Sequence, residues 1–372
     1  MKIKIYTKID PNFIREWQYF WNKSPYANYT NSPQWFSSVI ESFNYKNYAI
    51  VSIYEKEQLK AVGAFIKKKK YGIDLYTMAP EDFMCGLPFL ADIHDKSLMN
   101  MLLNQILELG TTCINNIPEQ LSQVIKNTTK KSTRFKNTLN FFMPLEKDAS
   151  EQVLIKNKNK IMRKAQDIEN DIHMTTYNCG SSIDALNIAF AIDNISTKRS
   201  KGYNAFASKK IRNFFKSLAK NYKEKLLVNV LYDKTKPIGY EIGFAVKNTF
   251  YGNQIATVAG YEKYSLGRIF IIKLIESLNK KSINKIDFGS GEDHIKKSFT
   301  KNYQTLYTII ISKHRHTHMY LNIMLRFNYL TYKLLQQRPD IYAIYRSLKN
   351  TACKIVFFTS FSIPHISEII II

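Results

Sequence analysis

The stretch from Lys225 to Phe299 constrains the fold most, because several signals of a mixed αβ unit follow one another there. Two strand-like runs, Leu226–Tyr232 and Ile238–Val246, flank the turn Asp233–Pro237. β-Branched and aromatic residues bounded by Pro, Asp and Lys are typical of a β-hairpin. A third such run, Thr249–Thr257, follows after two residues. We therefore predict three consecutive antiparallel strands.

A helix and a fourth strand complete this unit. Four apolar residues recur at the i, i+3, i+4 and i+7 positions that give a helix one buried face; they are Ile271, Leu274, Ile275 and Leu278. Downstream, Lys285–Phe288 has strand composition and Gly289–Gly291 reads as a turn.

The turn that opens the helix, Tyr264–Arg268, is the first candidate ligand site. Ser265 stands at the expected N-cap and Gly267 leaves the first turn without a side chain. Exposed N–H groups and the positive end of the helix dipole favour a phosphate there, and Arg268 adds a charge. A plain helix cap is the alternative interpretation.

Taken in order, these segments resemble the GNAT superfamily, and more closely its CelD-like branch, whose relatives include the FemAB peptidoglycan transferases. The matching motifs are Tyr264–Phe270, Asp287–Gly291 and Glu292–Phe299. The chain differs from the family at Ile295, where a tyrosine is common. Upstream, Lys156–Ala165 resembles the basic helix that opens the family's second domain, and the resemblance also includes the Ser-Pro-x-Trp element Asn31–Phe36. It spans about residues 25 to 312.

The resemblance implies an α/β (α+β) fold of tandem GNAT-like domains, each a mixed, mostly antiparallel sheet flanked by helices. We predict a degenerate N-terminal domain over 1–145, because its strands and its helix near 97–109 repeat the same order without a glycine turn. The acyltransferase domain is predicted at 150–312, and 120–140 is polar and basic enough to be a boundary or linker.

Residues 313–372 form a chemically distinct tail. Apolar residues share one face of a first helix, which Pro339 ends, and Asp340 is placed to cap a second one. Basic side chains accompany both helices. The tail is therefore predicted to be a basic amphipathic pair that either lies on an anionic membrane or packs back on the catalytic domain.

Composition indicates a globular protein with an anionic partner. The chain has 372 residues, 54 Lys and Arg against 30 Asp and Glu, and a formal net charge of +24. Such a charge attracts nucleic acid, anionic lipid or phosphorylated substrates, although a lysine-rich solvated surface would give the same number.

The four cysteines lack metal or disulfide spacing, and the alternating histidines His314, His316 and His318 have no acidic or cysteine partner nearby, so we expect no metal. The first residues lack an apolar signal region. We expect a cytoplasmic protein, with peripheral contact at the inner face of the membrane as an open possibility.

The chemistry implied by the resemblance is transfer of an acyl group, in the simplest case acetyl, from acyl-CoA to an amine. The amine attacks directly, so no enzyme nucleophile is required. A backbone N–H near Ala256–Val258 would polarise the carbonyl. The cofactor-binding residues implied are therefore Val258 and, around the pyrophosphate, Tyr264, Ser265, Leu266, Gly267 and Arg268.

Candidate bases are Asp287, Glu241 and Asp293, with Asp287 first because it ends a strand; an Asx turn with the following glycines is the alternative. Lys296 corresponds to an active-site lysine of FemAB-like relatives. Arg163 and Lys164 are candidates for an acceptor phosphate, and Asp293 is also a substrate-binding candidate.

Three function classes stay open. The first is a CoA-dependent N-acyltransferase acting on an amine of an envelope or polysaccharide precursor such as an amino sugar, phosphorylated or lipid-linked. The second is a FemAB-like aminoacyl transferase that uses charged tRNA on a peptidoglycan precursor. The third is a non-catalytic scaffold at the membrane surface.

Overall fold

The structure is a computed structural model that describes residues 1–145, 161, 172–178, 181–200 and 202–336. Its strands are β1 (Lys2–Tyr6), β2 (Tyr48–Glu55), β3 (Gln58–Lys70), β4 (Ile73–Thr77), β5 (Leu90–Ala91), β6 (Thr112–Pro118), β7 (Ser132–Pro144), β8 (Ile172–Tyr177), β9 (Leu226–Asp233), β10 (Lys236–Val246), β11 (Thr249–Thr257), β12 (Lys285–Ser290) and β13 (Tyr303–Ile311). Its helices are α1 (Pro11–Lys23), α2 (Pro33–Phe43), α3 (Lys96–Leu109), α4 (Glu119–Thr128), α5 (Ser182–Asn194), α6 (Thr197–Ser200), α7 (Lys209–Tyr222), α8 (Leu266–Leu278), α9 (His294–Phe299) and α10 (Arg315–Gln336).

The segments predicted from periodicity are confirmed. Strands β9, β10 and β11 form the predicted antiparallel series, and β11 has the predicted limits. Helix α8 buries Ile271, Leu274, Ile275 and Leu278, as the spacing predicts. The α/β class with a mostly antiparallel sheet is therefore confirmed.

One continuous sheet contains strands from both halves of the chain. Its order is β1-β2-β3-β4-β6-β13-β7-β12-β11-β10-β9-β8, with β5 paired to β3. Among the described strands, only the pairs β4–β6 and β11–β12 are parallel. The two halves thus place their parallel pairs at equivalent distances from the centre of the sheet.

The halves exchange their last strands at this centre. Strand β13, which comes late in the sequence, lies between β6 and β7 of the first half. Strand β7 in turn lies between β13 and β12 of the second half. Each half therefore completes its sheet with a strand from the other. The proposed division of the chain near residues 145–150 stays a prediction.

The interpretation of 120–140 as a linker is wrong. These residues form helix α4 and most of β7, a strand at the centre of the sheet. Helix α4 buries Leu121, Ser122 and Ile125. The polar composition of residues 120–140 does not indicate a linker, because β7 is a strand that is only half-buried along most of its length.

Helices α2 and α7 join the halves on one face of the sheet. The rings of Trp35 and Phe214 meet edge to face with their centroids 4.9 Å apart. The Ser217 hydroxyl donates to the Ser38 hydroxyl at 3.0 Å. The Tyr222 hydroxyl donates to the Tyr29 carbonyl oxygen. This buried contact fixes the first half beside strands β10 to β12.

The predicted tail begins as helix α10, which confirms the first of its two helices. The second helix predicted after Asp340 lies outside the described residues. None of the helices in the described ranges is long and apolar enough to cross a bilayer.

Candidate functional site

Strands β11 and β12 pair briefly and then separate. Their parallel register joins Thr249–Tyr251 to Lys285–Asp287 only. Beyond it, β11 carries an irregularity opposite Ile242 and Gly243 and continues along β10 without β12. We infer that the two parallel strands part beyond this register, and we call the gap between their carboxyl-terminal ends the opening.

Backbone amides of β11 face this opening. The Val258 N–H donates to the Ile238 carbonyl of the β10 side at 2.9 Å. Because N–H directions alternate along a strand, the Ile255 and Thr257 amides point away from β10. On that side Ser196 forms an antiparallel bridge with Val258, and the Ala259 amide donates to the Ile195 carbonyl at 3.1 Å, so residues 195 and 196 cover the end of this edge. The Val258 amide is already bonded, and a donor near Ala256–Val258 stays a prediction, with Ile255 as a further candidate.

Helix α8 begins beside the same opening. Ser265 occupies the N-cap position but adopts a left-handed conformation with φ 56°, and its side chain makes no capping hydrogen bond. Its carbonyl accepts from the Arg268 amide at 2.8 Å. The amides of Leu266 and Gly267 lie in the first turn, which has no intrahelical acceptors. The predicted side-chain cap is wrong, but the exposed helix end that it implied is present.

Gly267 has a packing role that the sequence did not indicate. A Cβ at this position would lie 2.9 Å from the Ile295 Cδ1 atom of helix α9. The absence of a side chain thus lets α9 approach the start of α8. Tyr264 and Arg268 are half-buried on either side of this turn, whereas Leu266 is buried.

Asp287 is buried where β12 ends. Its Oδ2 atom accepts from the Asn140 side chain and its Oδ1 atom from the Gly289 amide, both at 2.9 Å. Burial raises the pKa of this carboxyl, while the two hydrogen bonds oppose that shift. The Asx turn given as the alternative interpretation is therefore present, and it does not exclude a further role.

Lys296 binds the turn Gly289–Gly291 that follows Asp287. Its Nζ atom donates to the carbonyl oxygens of Gly289 at 2.9 Å, Ser290 at 3.0 Å and Gly291 at 3.4 Å. Burial lowers the pKa of Lys296 to about 8, and the positive charge of Lys198 acts in the same direction. Lys296 thus stabilises the turn through three hydrogen bonds, and its ammonium group loses a proton at about pH 8.

Cys85 is a site residue that sequence reasoning missed. It comes from the first half, is buried, and interacts electrostatically with Asp287 and Lys296. Burial raises the pKa of this thiol well above its usual value, although Lys296 and the Ser290 amide oppose the shift. The Cys85 amide donates to the Tyr29 hydroxyl at 3.0 Å. No sequence motif marks this cysteine, because only the fold brings it to β12.

Glu241 is the last member of a chain of hydrogen bonds that crosses strands β8, β9 and β10. The Thr176 hydroxyl donates to the Asn229 side-chain oxygen, and the Asn229 amide donates to Glu241 Oε2, each at 2.7 Å. The Oε1 atom is buried and has no hydrogen-bond partner among the described residues. It lies 3.5 Å from where a Cβ of Gly252 would stand. Burial raises the pKa of Glu241 to about 8.

The structure does not bring the three carboxylate candidates together. Asp287 shares the face of Tyr251 and Tyr29, whereas Glu241 alternates with Tyr240 and points to the face of α8. Asp293 caps helix α9, since its Oδ1 atom accepts from the Ile295 amide at 2.7 Å. Its proposed part in substrate binding stays a prediction. Arg163 and Lys164 lie outside the described residues.

No metal centre accompanies these groups. Within the described part of the chain, no three His, Cys, Asp or Glu side chains converge as they would around an ion. The ring of His318 instead contacts the Thr133 hydroxyl at 2.9 Å.

Comparison with known proteins places this geometry in context. Residues 156–297 match the acetyltransferase (GNAT) domain model. The whole fold is similar to the crystal structure of FemX, with a TM-score of 0.59 at 10% identity over 83% of this chain and 97% of that one. It is also similar to the C-terminal domain of a putative lysylphosphatidylglycerol synthetase from Agrobacterium fabrum, with a TM-score of 0.55 at 10% identity over 83% and 95% of the two chains.

A conserved protein of unknown function from Bacteroides thetaiotaomicron has a similar fold as well, with a TM-score of 0.54 at 12% identity over 84% of this chain and 100% of that one. No curated protein matches the chain in sequence. At these identities the structural likenesses show the fold alone. The family match covers β8 to β12, α8 and most of α9, which surround the opening. Residues 156–297 of this chain thus match a GNAT-type acetyltransferase domain, and the solved structures share its overall fold.

Proposed function

We propose that the protein is an N-acyltransferase that moves an acyl group, in the simplest case acetyl, from acyl-CoA to an amine of an envelope or polysaccharide precursor such as an amino sugar. The acceptor is expected to be phosphorylated or lipid-linked, given the charge of +24. The CelD-like motifs of the sequence support the polysaccharide setting.

The opening between β11 and β12 is the observation on which this proposal rests. It offers the Ile255 amide along one wall, next to the bridge between Val258 and Ser196, and the first turn of α8 at its end. Amides on a strand edge suit an extended amide-containing chain, and a helix N-terminus suits a pyrophosphate. Both groups occur in CoA, which would bring the acyl group as a thioester. The residues present therefore fit an acyl-CoA, with Tyr264–Arg268 around its phosphates.

Transfer by direct attack suits the side chains at the opening. The acceptor amine forms the new C–N bond, the C–S bond breaks, and the amine proton leaves for a base or the departing thiolate. Cys85 is buried and its raised pKa keeps the thiol neutral, so it is a poor nucleophile. Lys296, with a pKa of about 8, is the group best suited to receive the amine proton or to stabilise the developing oxyanion.

Aminoacyl transfer from charged tRNA is the second candidate. It is supported by the fold shared with FemX and with the C-terminal domain of the putative lysylphosphatidylglycerol synthetase. The net charge of +24 also suits a nucleic acid. The two candidates share the opening and differ in the molecule that delivers the acyl group.

Binding and transfer assays with the two candidate acyl donors, acetyl-CoA and charged tRNA, test the proposal. The purified protein is titrated calorimetrically with CoA and acetyl-CoA, and separately with charged and uncharged tRNA; amino-sugar acceptors are then supplied with labelled acetyl-CoA. We expect CoA binding and label transfer to the acceptor amine. Binding of charged tRNA without any CoA binding would replace the proposal by the second candidate.

A further inference from the structure

Helix α10 carries an apolar stripe that the rest of the described protein leaves uncovered. Met319, Ile323, Phe327 and Leu330 are 63%, 58%, 52% and 56% exposed. Their spacing of four, four and three residues places them on one side of the helix. We call these four residues the outer stripe. It contributes four of the most exposed apolar side chains of the described chain.

The opposite side of α10 already has its partner. Leu321 is buried with Leu75, Cys113 and Ile310 against the sheet, and Leu325 packs beside them. The His318 ring contacts the Thr133 hydroxyl of β7. The helix is therefore docked on the protein by one face, and the outer stripe is a second apolar face that none of the described residues covers.

Positive charge surrounds the outer stripe. No Asp or Glu occurs between Asp293 and Asp340, a range that includes all of α10. Arg315 and Arg326 are exposed on this helix, whereas Lys313, just before it, pairs with Glu108 of α3. An apolar stripe with a basic border is the pattern of helices that lie in the interface of an anionic bilayer.

We propose that α10 docks the protein on an anionic lipid surface, with the outer stripe entering the interface and Arg315 and Arg326 contacting the headgroups. Charge complementarity favours an anionic lipid surface over residues 341–372 as the occupant of the outer stripe. Residues 341–372 contain three Lys or Arg and a single acidic residue, Glu368. Folding that segment over α10 would bring like charges together, whereas an anionic bilayer supplies opposite charge along the whole helix.

Vesicle sedimentation with the full chain tests this docking surface. Vesicles of phosphatidylcholine alone are compared with vesicles of phosphatidylcholine and phosphatidylglycerol in equal parts. We expect binding to the mixed vesicles only, weakened by added salt. Ile323→Glu and Phe327→Glu should each weaken that binding by roughly tenfold or more, because a carboxylate replaces an inserted side chain. Arg326→Glu should weaken it by roughly tenfold through charge reversal.

Ile5→Glu is the matched control, since Ile5 is 44% exposed on edge strand β1, away from α10. It should bind as the unmodified protein does, and circular dichroism should show all four variants folded. Equal binding by the α10 variants and the control would overturn the proposal, as would failure of the full chain to bind.

Two other outcomes would assign a different occupant to the outer stripe and also overturn the proposal. Lipid binding by a chain ended at residue 336, but not by the full chain, would show that residues 337–372 cover the stripe. Self-association that Phe327→Glu abolishes, without lipid binding, would identify a second copy as the occupant.

Discussion

The side chains of Glu241 and Asp287 point to opposite faces of the sheet, although their strands are separated only by β11. Asp287 interacts electrostatically with Tyr29 and Cys85 of the first half and accepts hydrogen bonds from Asn140 and Gly289. Among the described residues, Glu241 accepts a hydrogen bond through one oxygen only. The two carboxyls therefore do not form one acid–base pair, and the proposed mechanism assigns the proton of the acceptor amine to Lys296.

Replacing Lys296 should impair both activity and stability. Lys296→Ala removes the donor to three carbonyl oxygens, which should lower the free energy of unfolding by about 1–3 kcal/mol. If the same ammonium assists the transfer, turnover should fall by roughly 10²–10³. Denaturant titration and initial rates measure the two effects separately.

Lys297→Ala is the control for this substitution. Lys297 follows Lys296 in the sequence but is exposed and pairs with Glu292 at 3.0 Å. Exposed pairs contribute little, so both stability and turnover should change only slightly. Small and equal effects at both positions would remove Lys296 from the proposed mechanism.

Glu241 should make stability fall as pH rises. Its pKa is about 8 in the folded protein against an ordinary value of 4.5. The folded state therefore holds a proton that the unfolded chain has released, so stability is highest below about 4.5 and declines until about pH 8. Glu241→Gln removes this proton while keeping an acceptor for Asn229.

The difference between the two proteins isolates this single carboxyl. Between pH 5 and pH 8, Glu241→Gln should gain roughly 3–5 kcal/mol relative to the unmodified protein, measured by denaturant titration at each pH. Parallel pH profiles for both proteins would mean that Glu241 is already ionised or solvated in the folded state.

Gly267 should matter for ligand binding beyond its packing. Gly267→Glu alone would be ambiguous, since any Cβ there meets Ile295. In an Ile295→Ala background, Gly267→Ala should keep most of the CoA affinity, while Gly267→Glu should lose roughly tenfold or more because a carboxylate faces the phosphates. Calorimetric affinities that are equal for Ala and Glu would disprove a pyrophosphate site at α8.

Cys85 should not carry the acyl group. Direct attack predicts that Cys85→Ala keeps turnover within roughly tenfold of the unmodified protein, since the thiol is neutral and buried. Intact-protein mass spectrometry with acetyl-CoA in the absence of acceptor should show no added acetyl group. An acetylated peptide containing Cys85 would contradict the direct-attack mechanism.

Patterns of apolar residues along the sequence predicted the strands and helices whose limits depend on neighbouring residues. The limits of β11 and the buried face of α8 follow from alternation and from 3.6-residue periodicity, both readable along the sequence. The exchange of β7 and β13 depends on pairing between distant segments, for which the sequence offers no local signal. A polar stretch was therefore interpreted as a linker where a central strand lies.

The candidate site was predicted only in part, because some of its residues come together through tertiary packing between distant segments. Asp287, Gly267 and Lys296 belong to one contiguous stretch. The fold keeps Asp287 and Lys296 at the turn that begins with Gly289, and it packs Gly267 against Ile295. Cys85 and Tyr29 reach it from the first half through tertiary packing alone. The amide direction at Val258 depends on its register with Ile238, which only the paired strands define.

The central claim is that an acyl-CoA lies along β11 in the opening beside β12. Amide hydrogen exchange at single-residue resolution, with and without acetyl-CoA, tests it most directly. The Ile255 amide should exchange readily in the free protein and become protected when acetyl-CoA is added, while Val258, bonded to Ile238, is slow in both states. Unchanged exchange at Ile255 under saturating acetyl-CoA would contradict the account.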